Sequence, residues 1–458
     1  MRQNGVYMFE RIASPLITQL RTPYFTVDCG MSYLIRLGDG RFVMIDGNIG
    51  EYDEPDYLMR LLSQQNVTAA KPTIAAWIIT HPHGDHFFGM VNFCEKYAND
   101  VVIEKMIFKF PVAGRCGGGS DTSAFFAMLD TLDTLEGTEI ITPSTGDRYT
   151  FADATFDVLF TYTDLDPAPI PDINDTSVVM RMELCGHRAM WLGDIGKQAS
   201  DNICARFSID ELKSDIMQVG HHGYTGGSDE LYRAIDPEVI LWPCPDFWYH
   251  PAKTWKCNDY IVHSSKNIKA TFVSGQTEAV LDLTKPILPP EPYKAGKISA
   301  PFEKKSMLSL NWTCLTGGGR GYLPMKLSFP EGGGCRLLAG DARSLCQLIQ
   351  RGQTALSERY VFTFSGVLDE GAEMFGLIWN YPTPMKWVDE ALLVLDQQSG
   401  VPFRYTLTVD KAKKYASLYE GDRLVMETNE LSDEPCDIIL LMKNASVSLN
   451  EVTFENLG

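Results

Sequence analysis

Over its first 283 residues the chain alternates short apolar runs with stretches of helical spacing. Apolar segments at 32–37 and 41–46 flank Asp39-Gly40, and an Asp-Gly pair in that setting predicts a β-hairpin. Positions 53–65 repeat their apolar residues at helical spacing. The run Ile74-Ala75-Ala76-Trp77-Ile78-Ile79 contains no polar residue, which predicts a strand covered on both faces. The pattern then gives a helix over 87–97, a strand over 101–110 and a helix over 125–135. Strands follow at 139–141, 148–151 and 156–161, and the Asp- and Pro-rich 164–174 reads as a loop. A second hairpin, 178–184 with 188–192, ends at Gly193-Asp194. Helices near 209–212, over 229–234 and before Ile261 then alternate with strands at 216–219, 239–242, 270–273 and 279–283. Strands interleaved with helices predict a layered α/β domain.

The pattern changes at Pro286-Ile287-Leu288-Pro289-Pro290-Glu291-Pro292, which cannot continue a regular element. Residues 286–303 read as a stiff linker between a domain over 1–285 and another over 304–458. Beyond it the runs are mainly strand-like: 307–312, 325–329, 360–365, 374–379, 403–409, 423–427, 438–441 and 446–454. Short alternating strands with Gly-rich turns predict a β-sandwich or jelly roll. At 458 residues the chain exceeds what one core organises, in keeping with two domains.

Composition narrows the partners. The chain is 45% hydrophobic and 22% charged, a globular balance. Its formal net charge of -19 counts against extended nucleic-acid binding, which calls for a basic footprint. No apolar run approaches bilayer length, and residues 1–21 lack the basic start and apolar core of a secretory signal. A cytoplasmic location is the default, with a secreted or cell-surface one open if a signal was removed. The 11 cysteines form no Cys-x-x-Cys pair, and thiols such as Cys185, inside an apolar run, are expected to be buried. Gly117-Gly118-Gly119 lacks a following Lys-Ser/Thr pair, so it reads as a flexible loop and not a phosphate cradle.

The chemistry concentrates at strand ends. With 8 histidines in the chain, three fall between 81 and 86, directly after the buried strand. His81 and His83 can be aimed at one divalent ion, while Asp85 and His86 can serve a second. Asp194, ending the second hairpin, can bridge two cations. His221 and His222 follow another apolar strand; one should complete the second ion's ligands, and the other should face substrate. Adjacent side chains on extended backbone diverge, so both on one ion requires a sharply twisted turn. Asp46 can orient a ligand histidine, and Tyr224, Gly226-Gly227 and His250 can line a pocket. His187 is expected in a turn facing solvent.

These residues resemble the metallo-β-lactamase superfamily, and within it the hydrolase domain of bacterial competence proteins and the phosphorylcholine esterases. The family's His-x-His-x-Asp-His motif is matched by His81, His83, Asp85 and His86, its first-strand Asp by Asp46, and its Gly-Asp by Gly193-Asp194. Asn174-Asp175-Thr176-Ser177-Val178-Val179 approximates the branch's Asn-x-Ser and strand. Its Lys-Val-x-His-His-Gly-Ser is similar to 218–224, and Tyr249-His250-Pro251 echoes its late Gly-His-Pro. The resemblance covers about residues 25–283 and implies a four-layer αββα fold. One departure stands out: no histidine lies between His86 and His187, where many members carry a further ligand. That leaves the first ion with His81, His83 and Asp194 unless Asp172 or Asp175 helps. The end domain bears a fainter likeness to galactose-binding-type carbohydrate-binding modules, carried by 345–349, 360–365 and 447–454, with Trp379, Tyr381 and Trp387 as candidates to stack on a glycan.

The resemblance implies a metal-dependent hydrolase holding one or two Zn ions, with Mn or Fe as alternatives, acting on a small phosphodiester such as a phosphorylcholine ester. Asp85 or Asp194 would orient the attacking water, and His221 would assist the leaving oxygen. Hydrolysis of carboxyl esters, lactones or β-lactams is the enzymatic alternative. A non-catalytic scaffold or glycan-binding protein with a degenerate metal site is the other.

Overall fold

A computed structural model describes residues 11–21, 29–49, 54–111, 122–166, 169–244, 249, 252–275 and 278–290, then the strands 296–300, 312–317, 326–328, 335–338 and 345–350, and finally 357–369, 374–380, 393–432, 436, 438–443 and 445–458. Gly117 to Gly119, His250, Tyr381, Trp387 and nearly all of the 307–312 segment lie outside the described residues. Contacts divide the chain into two compact units, one ending at Pro290 and the other running from Glu291 to Gly458.

The first unit is built on two mixed sheets. One has the order Ala279–Asp282, Leu16–Gln19, Tyr33–Arg36, Phe42–Ile45, Thr73–Ile79, Lys105–Phe108, Glu139–Ile141, with Val102–Ile103 alongside Thr73–Ile79. The other runs Ala270–Val273, Val239–Trp242, Ile216–Gln218, His187–Trp191, Val179–Leu184, Ala154–Phe160, Arg148–Phe151. Because strand side chains alternate faces, each strand feeds two cores. Val43, Ile45, Ile78, Met180, Met182, Trp191 and Leu241 fill the space between the sheets. Phe42, Met44, Trp77 and Ile79 turn outward onto the helices Glu54–Gln65 and Gly84–Tyr97. On the far side Met190, Met217, Ile240 and Trp242 pack with Ile203 of Lys197–Arg206 and Leu231 of Asp229–Ile235. The layers are therefore α, β, β, α, the metallo-β-lactamase arrangement.

Several elements differ from the sequence reading. The helix predicted from 87 begins at Gly84, with His83 extended at its N-cap, so Asp85 and His86 sit in the first turn. The strand predicted over 101–110 is broken into Val102–Ile103 and Lys105–Phe108, which both run beside Thr73–Ile79. Cys185 is not a core thiol. Leu184 pairs with His187, leaving Cys185-Gly186 as a two-residue turn with φ of 56° and 82°, the geometry right-twisted hairpins favour. Cys185 is half-buried there and its Sγ accepts from Arg11 Nη1 at 3.2 Å. His187 is the first residue of its strand rather than a turn residue.

The second unit is all antiparallel strand among its described residues. One sheet runs Lys326–Ser328, Cys335–Leu338, Ser446–Asn456, Arg359–Leu368, Pro402–Asp410, Tyr415–Glu420, Arg423–Thr428, and Gly296–Ala300, within the segment read as linker, also pairs with Ser446–Asn456. The other sheet runs Trp312–Gly317, Leu345–Gln350, Ile438–Lys443, Met374–Ile378, Leu393–Val394. Phe362, Phe364, Leu407 and Leu449 of the first sheet meet Phe375, Leu377, Leu440 and Met442 of the second in one core, so this unit is a β-sandwich. Trp379 joins that core, 7% exposed, and is not placed to stack on a glycan. No helix among the described residues is long and apolar enough to cross a membrane.

Candidate metal centre

The centre forms where four strands end on the same side of the two sheets. Asp46 follows Phe42–Ile45, Thr80 and His81 follow Thr73–Ile79, Asp194 follows His187–Trp191, and His221 and His222 follow Ile216–Gln218. Carboxyl ends of parallel strands are the usual location of α/β sites. The sheets are tied together at this edge by Val178 N–H donating to Thr80 O at 2.9 Å.

Asp194 is the hub. It is 1% exposed, and its Oδ2 lies 3.1 Å from His86 Nε2, 3.2 Å from His222 Nε2, 3.9 Å from His81 Nε2 and 4.0 Å from His221 Nε2. Asp85 Oδ2 lies 3.2 Å from His222 Nε2 and 3.6 Å from His86 Nε2. Asp85, His86, Asp194 and His222 offer ligand atoms that all lie within 4.8 Å of one another.

Each ring is held from behind. His86 Nδ1 is 2.8 Å from Asp46 Oδ2, and Asp46 also accepts from Thr80 N–H at 2.7 Å and Thr80 Oγ1 at 2.9 Å. His222 Nδ1 donates to Pro243 O at 2.7 Å. His81 Nδ1 is 3.2 Å from Thr80 Oγ1, whose own proton goes to Asp46. Fixing Nδ1 in this way turns Nε2 of all three rings toward Asp194, which is how ligand imidazoles are oriented.

Electrostatics follow from crowding these groups out of water. Burial opposes a charge on His86, but Asp194, Asp85 and Asp46 outweigh it and push the imidazole up to about 10. Burial likewise opposes a charge on His222, yet Asp194 and Asp85 raise it well above the usual histidine range. Burial, reinforced by His86, holds His81 well below that range. Burial also lowers His221, with Asp194 working against it. For Asp194, burial is overcome by His222 and His86, which hold its carboxyl well below the ordinary range.

A cation fits these donors. His81 Nε2 and Asp194 Oδ1 are buried without a hydrogen-bond partner, a costly state for polar atoms, while His222 Nε2 faces two carboxylates, Asp194 and Asp85, at 3.2 Å each. Imidazole and carboxylate donors suit Zn2+, Mn2+ or iron. His83 lies beside His81, ring centroids 4.7 Å apart.

The turn at His221-His222-Gly223 sets His222 beside Asp85 and His86. His221 and His222 both adopt left-handed backbone, φ 48° and 55°, which is rare for non-glycine residues. Gly223 continues at φ 80°, and a Cβ there would lie 2.4 Å from Trp242 Nε1. The twist keeps both rings near Asp194 while only His222 joins Asp85 and His86. Asp175 is engaged away from the histidines, whereas the charge of Asp172 reaches His221. Asp172 accepts from Asn174 N–H at 3.0 Å, and Asp175 Oδ1 accepts from Gly196 N–H at 2.8 Å and Ala199 N–H at 3.1 Å, at the start of a helix. Tyr224, 42% exposed, sets its ring against His221 at 5.5 Å and Trp255 at 4.7 Å.

Two residues read in the sequence only as parts of motifs support the centre. Gln218 Oε1 accepts from Leu192 N–H at 2.7 Å and Gly193 N–H at 2.9 Å, while its Nε2 donates to Gly193 O at 3.0 Å and Val219 O at 2.5 Å. It braces the turns carrying Asp194 and the histidine pair. Ser177 Oγ accepts from Asp194 N–H at 2.9 Å. The only sequence signal for the bracing by Gln218 is a polar residue ending an apolar strand.

A family model described as the metallo-beta-lactamase superfamily matches residues 26–155. No curated protein matches. Among solved structures, the chain is similar to the metallo-beta-lactamase fold protein YhfI from Bacillus subtilis, with 13% identity, 58% of this chain and 99% of that one covered, and a TM-score of 0.36. It is also similar to CmlA, a diiron beta-hydroxylase from Streptomyces venezuelae, with 10% identity, 55% and 50% covered, and a TM-score of 0.34. The carbohydrate binding module CBM66 from Bacillus subtilis matches with 12% identity, 32% and 95% covered, and a TM-score of 0.24. Residues 26–155, which carry the His81–His86 motif, belong to the metallo-β-lactamase superfamily, and the unit that contains them has its fold.

Proposed function

We propose that the first unit is a metal-dependent hydrolase with two ion seats sharing Asp194, and that its substrate is a small phosphodiester. The observation that carries this reading is the buried convergence of His81, His86 and His222 Nε2 on Asp194 at the ends of strands, with His81 Nε2 and Asp194 Oδ1 left without a partner. Asp85, His86 and His222 would hold one ion, and His81, His83 and His221 the other. His221 thereby answers the missing middle histidine, since its Nε2 is as far from Asp194 Oδ2, 4.0 Å, as that of His81, 3.9 Å.

A divalent cation, when bound, acidifies water and offsets charge developing on an ester in flight. The chain's own residues do the rest. Asp85, at the open side of the centre, accepts a hydrogen bond from the attacking water and orients it. Asp46 and Pro243 O keep His86 and His222 in the tautomer that presents Nε2. His221 is kept neutral by burial at physiological pH. Tyr224 and Trp255 form one wall of the approach. A net charge of -19 favours a compact substrate over a polyanion, whose many phosphates it would repel.

Metal analysis combined with turnover of bis-p-nitrophenyl phosphate tests the proposal. Two ions per chain and turnover abolished by Asp194→Ala are expected. A tightly bound ion with no turnover across phosphodiester, carboxyl-ester and lactone panels would overturn it in favour of a structural centre.

A further inference from the structure

Asn174 stands beside the seat that lacks the usual histidine. It belongs to the turn Ile173–Thr176, is 7% exposed, and its side-chain Oδ1 is buried without a hydrogen-bond partner. Its Nδ2 lies 3.5 Å from His221 Nε2. That separation is at the outer limit of a hydrogen bond and sets the amide at the edge of the seat; the amide nitrogen is no metal ligand, but the oxygen is. The bare oxygen and this nitrogen sit on the same carbon, so Oδ1 is held next to the same seat without any rotation of the amide.

The turn that carries Asn174 is fixed to the centre on several sides. Asp172 caps Asn174 N–H at 3.0 Å, and Asn174 O accepts from Ser177 N–H at 3.1 Å. Ser177 Oγ holds Asp194 N–H at 2.9 Å, and Val178 N–H reaches Thr80 O, next to His81. A side chain presented this rigidly, with its acceptor left bare in the protein interior, is arranged for a ligand and not for solvent.

We infer that Asn174 is a further donor to the ion seat formed by His81, His83, His221 and Asp194, through its amide oxygen. This rests on the two-ion reading above and sharpens it. An amide oxygen added to three imidazoles and a carboxylate gives that seat a harder donor set, so it should favour Mn2+ or Mg2+ relative to Zn2+ more than its neighbour does. The seat formed by Asp85, His86, His222 and Asp194 should be indifferent to Asn174.

Calorimetric titration of the full-length, metal-free chain with Mn2+ and with Zn2+, checked by elemental analysis, tests this without recourse to turnover. The wild type should take up two Mn2+ ions. Asn174→Ala should weaken one Mn2+ site by about tenfold or more, as loss of a supporting donor does, and leave the other unchanged. Asn174→Asp, which keeps an oxygen donor, should retain both sites, and Asn174→His should shift the affected site toward Zn2+. The unaffected site reports in the same experiment that each variant is folded. Two sites of wild-type affinity in Asn174→Ala would overturn the inference while leaving the two-ion centre standing. A wild type that binds one ion or none would overturn the two-ion reading itself, and this inference with it.

Discussion

At the scale of single residues, function depends on how each ring and carboxylate is held. Asp46 touches no substrate in this arrangement, yet it fixes His86 and Thr80 together. Asp46→Ala should therefore weaken metal binding by roughly 10- to 100-fold, measured by competition with a chromophoric chelator; unchanged affinity would remove Asp46 from the support of the site. Burial, together with the charge of Glu95, pushes the Cys94 thiol up to about 12. Its thiolate is scarce at pH 8, so iodoacetamide should label Cys94 only after unfolding, as peptide mass spectrometry would show; rapid labelling of the folded protein would contradict this burial. The histidine motif was legible in the sequence because its spacing is local and histidines are few. Asn174 and Ser177 stood in a recognisable motif, but what they and Thr80 touch was not legible, because each works by meeting a residue from a distant strand end.

At the scale of elements, the site is only as firm as the turns that end its strands. Gln218 spends all four of its hydrogen bonds bracing two of them. Gln218→Leu would leave Leu192 and Gly193 N–H buried and unpaired, each costing about 1–3 kcal/mol. A lowered thermal midpoint is expected, along with weaker metal binding; an unchanged midpoint would mean those turns hold without it. Trp191, buried between the sheets against Tyr33 with ring centroids 4.8 Å apart, should cost about 3–5 kcal/mol when cut to Ala, read from urea unfolding. Strands with clear apolar runs, such as Thr73–Ile79, could be read in advance. The true start of Gly84–Tyr97 could not, because Gly84 and Asp85 are weak helix formers and the end of the preceding loop sets where that helix begins. Nor could Cys185 be placed, since hydrophobicity does not reveal which two residues of a hairpin form its turn.

At the scale of the whole molecule, two units with separate cores share one chain. A chain ending at Pro290 should fold and retain metal binding, since every element that supplies the centre lies before that residue. Loss of binding on truncation, with circular dichroism still native, would show that the second unit contributes to the site. The layered α/β class of the first unit followed from alternating strands and helices, and its αββα order from the resemblance carried by the histidine motif. The sandwich pairing of the second did not, because antiparallel strands of similar pattern admit many pairings. The left-handed turn at His221 and His222 has one more consequence, and it concerns the order in which ions arrive. In the two-ion reading proposed above, two neighbouring residues on one strained turn serve different seats, so neither ring can settle without fixing the peptide that carries the other. The first ion to bind therefore removes part of the ordering entropy that the second would otherwise lose. Loading should be cooperative, with partly filled molecules scarcer than independent seats would produce, as native mass spectrometry at half-saturating metal would reveal.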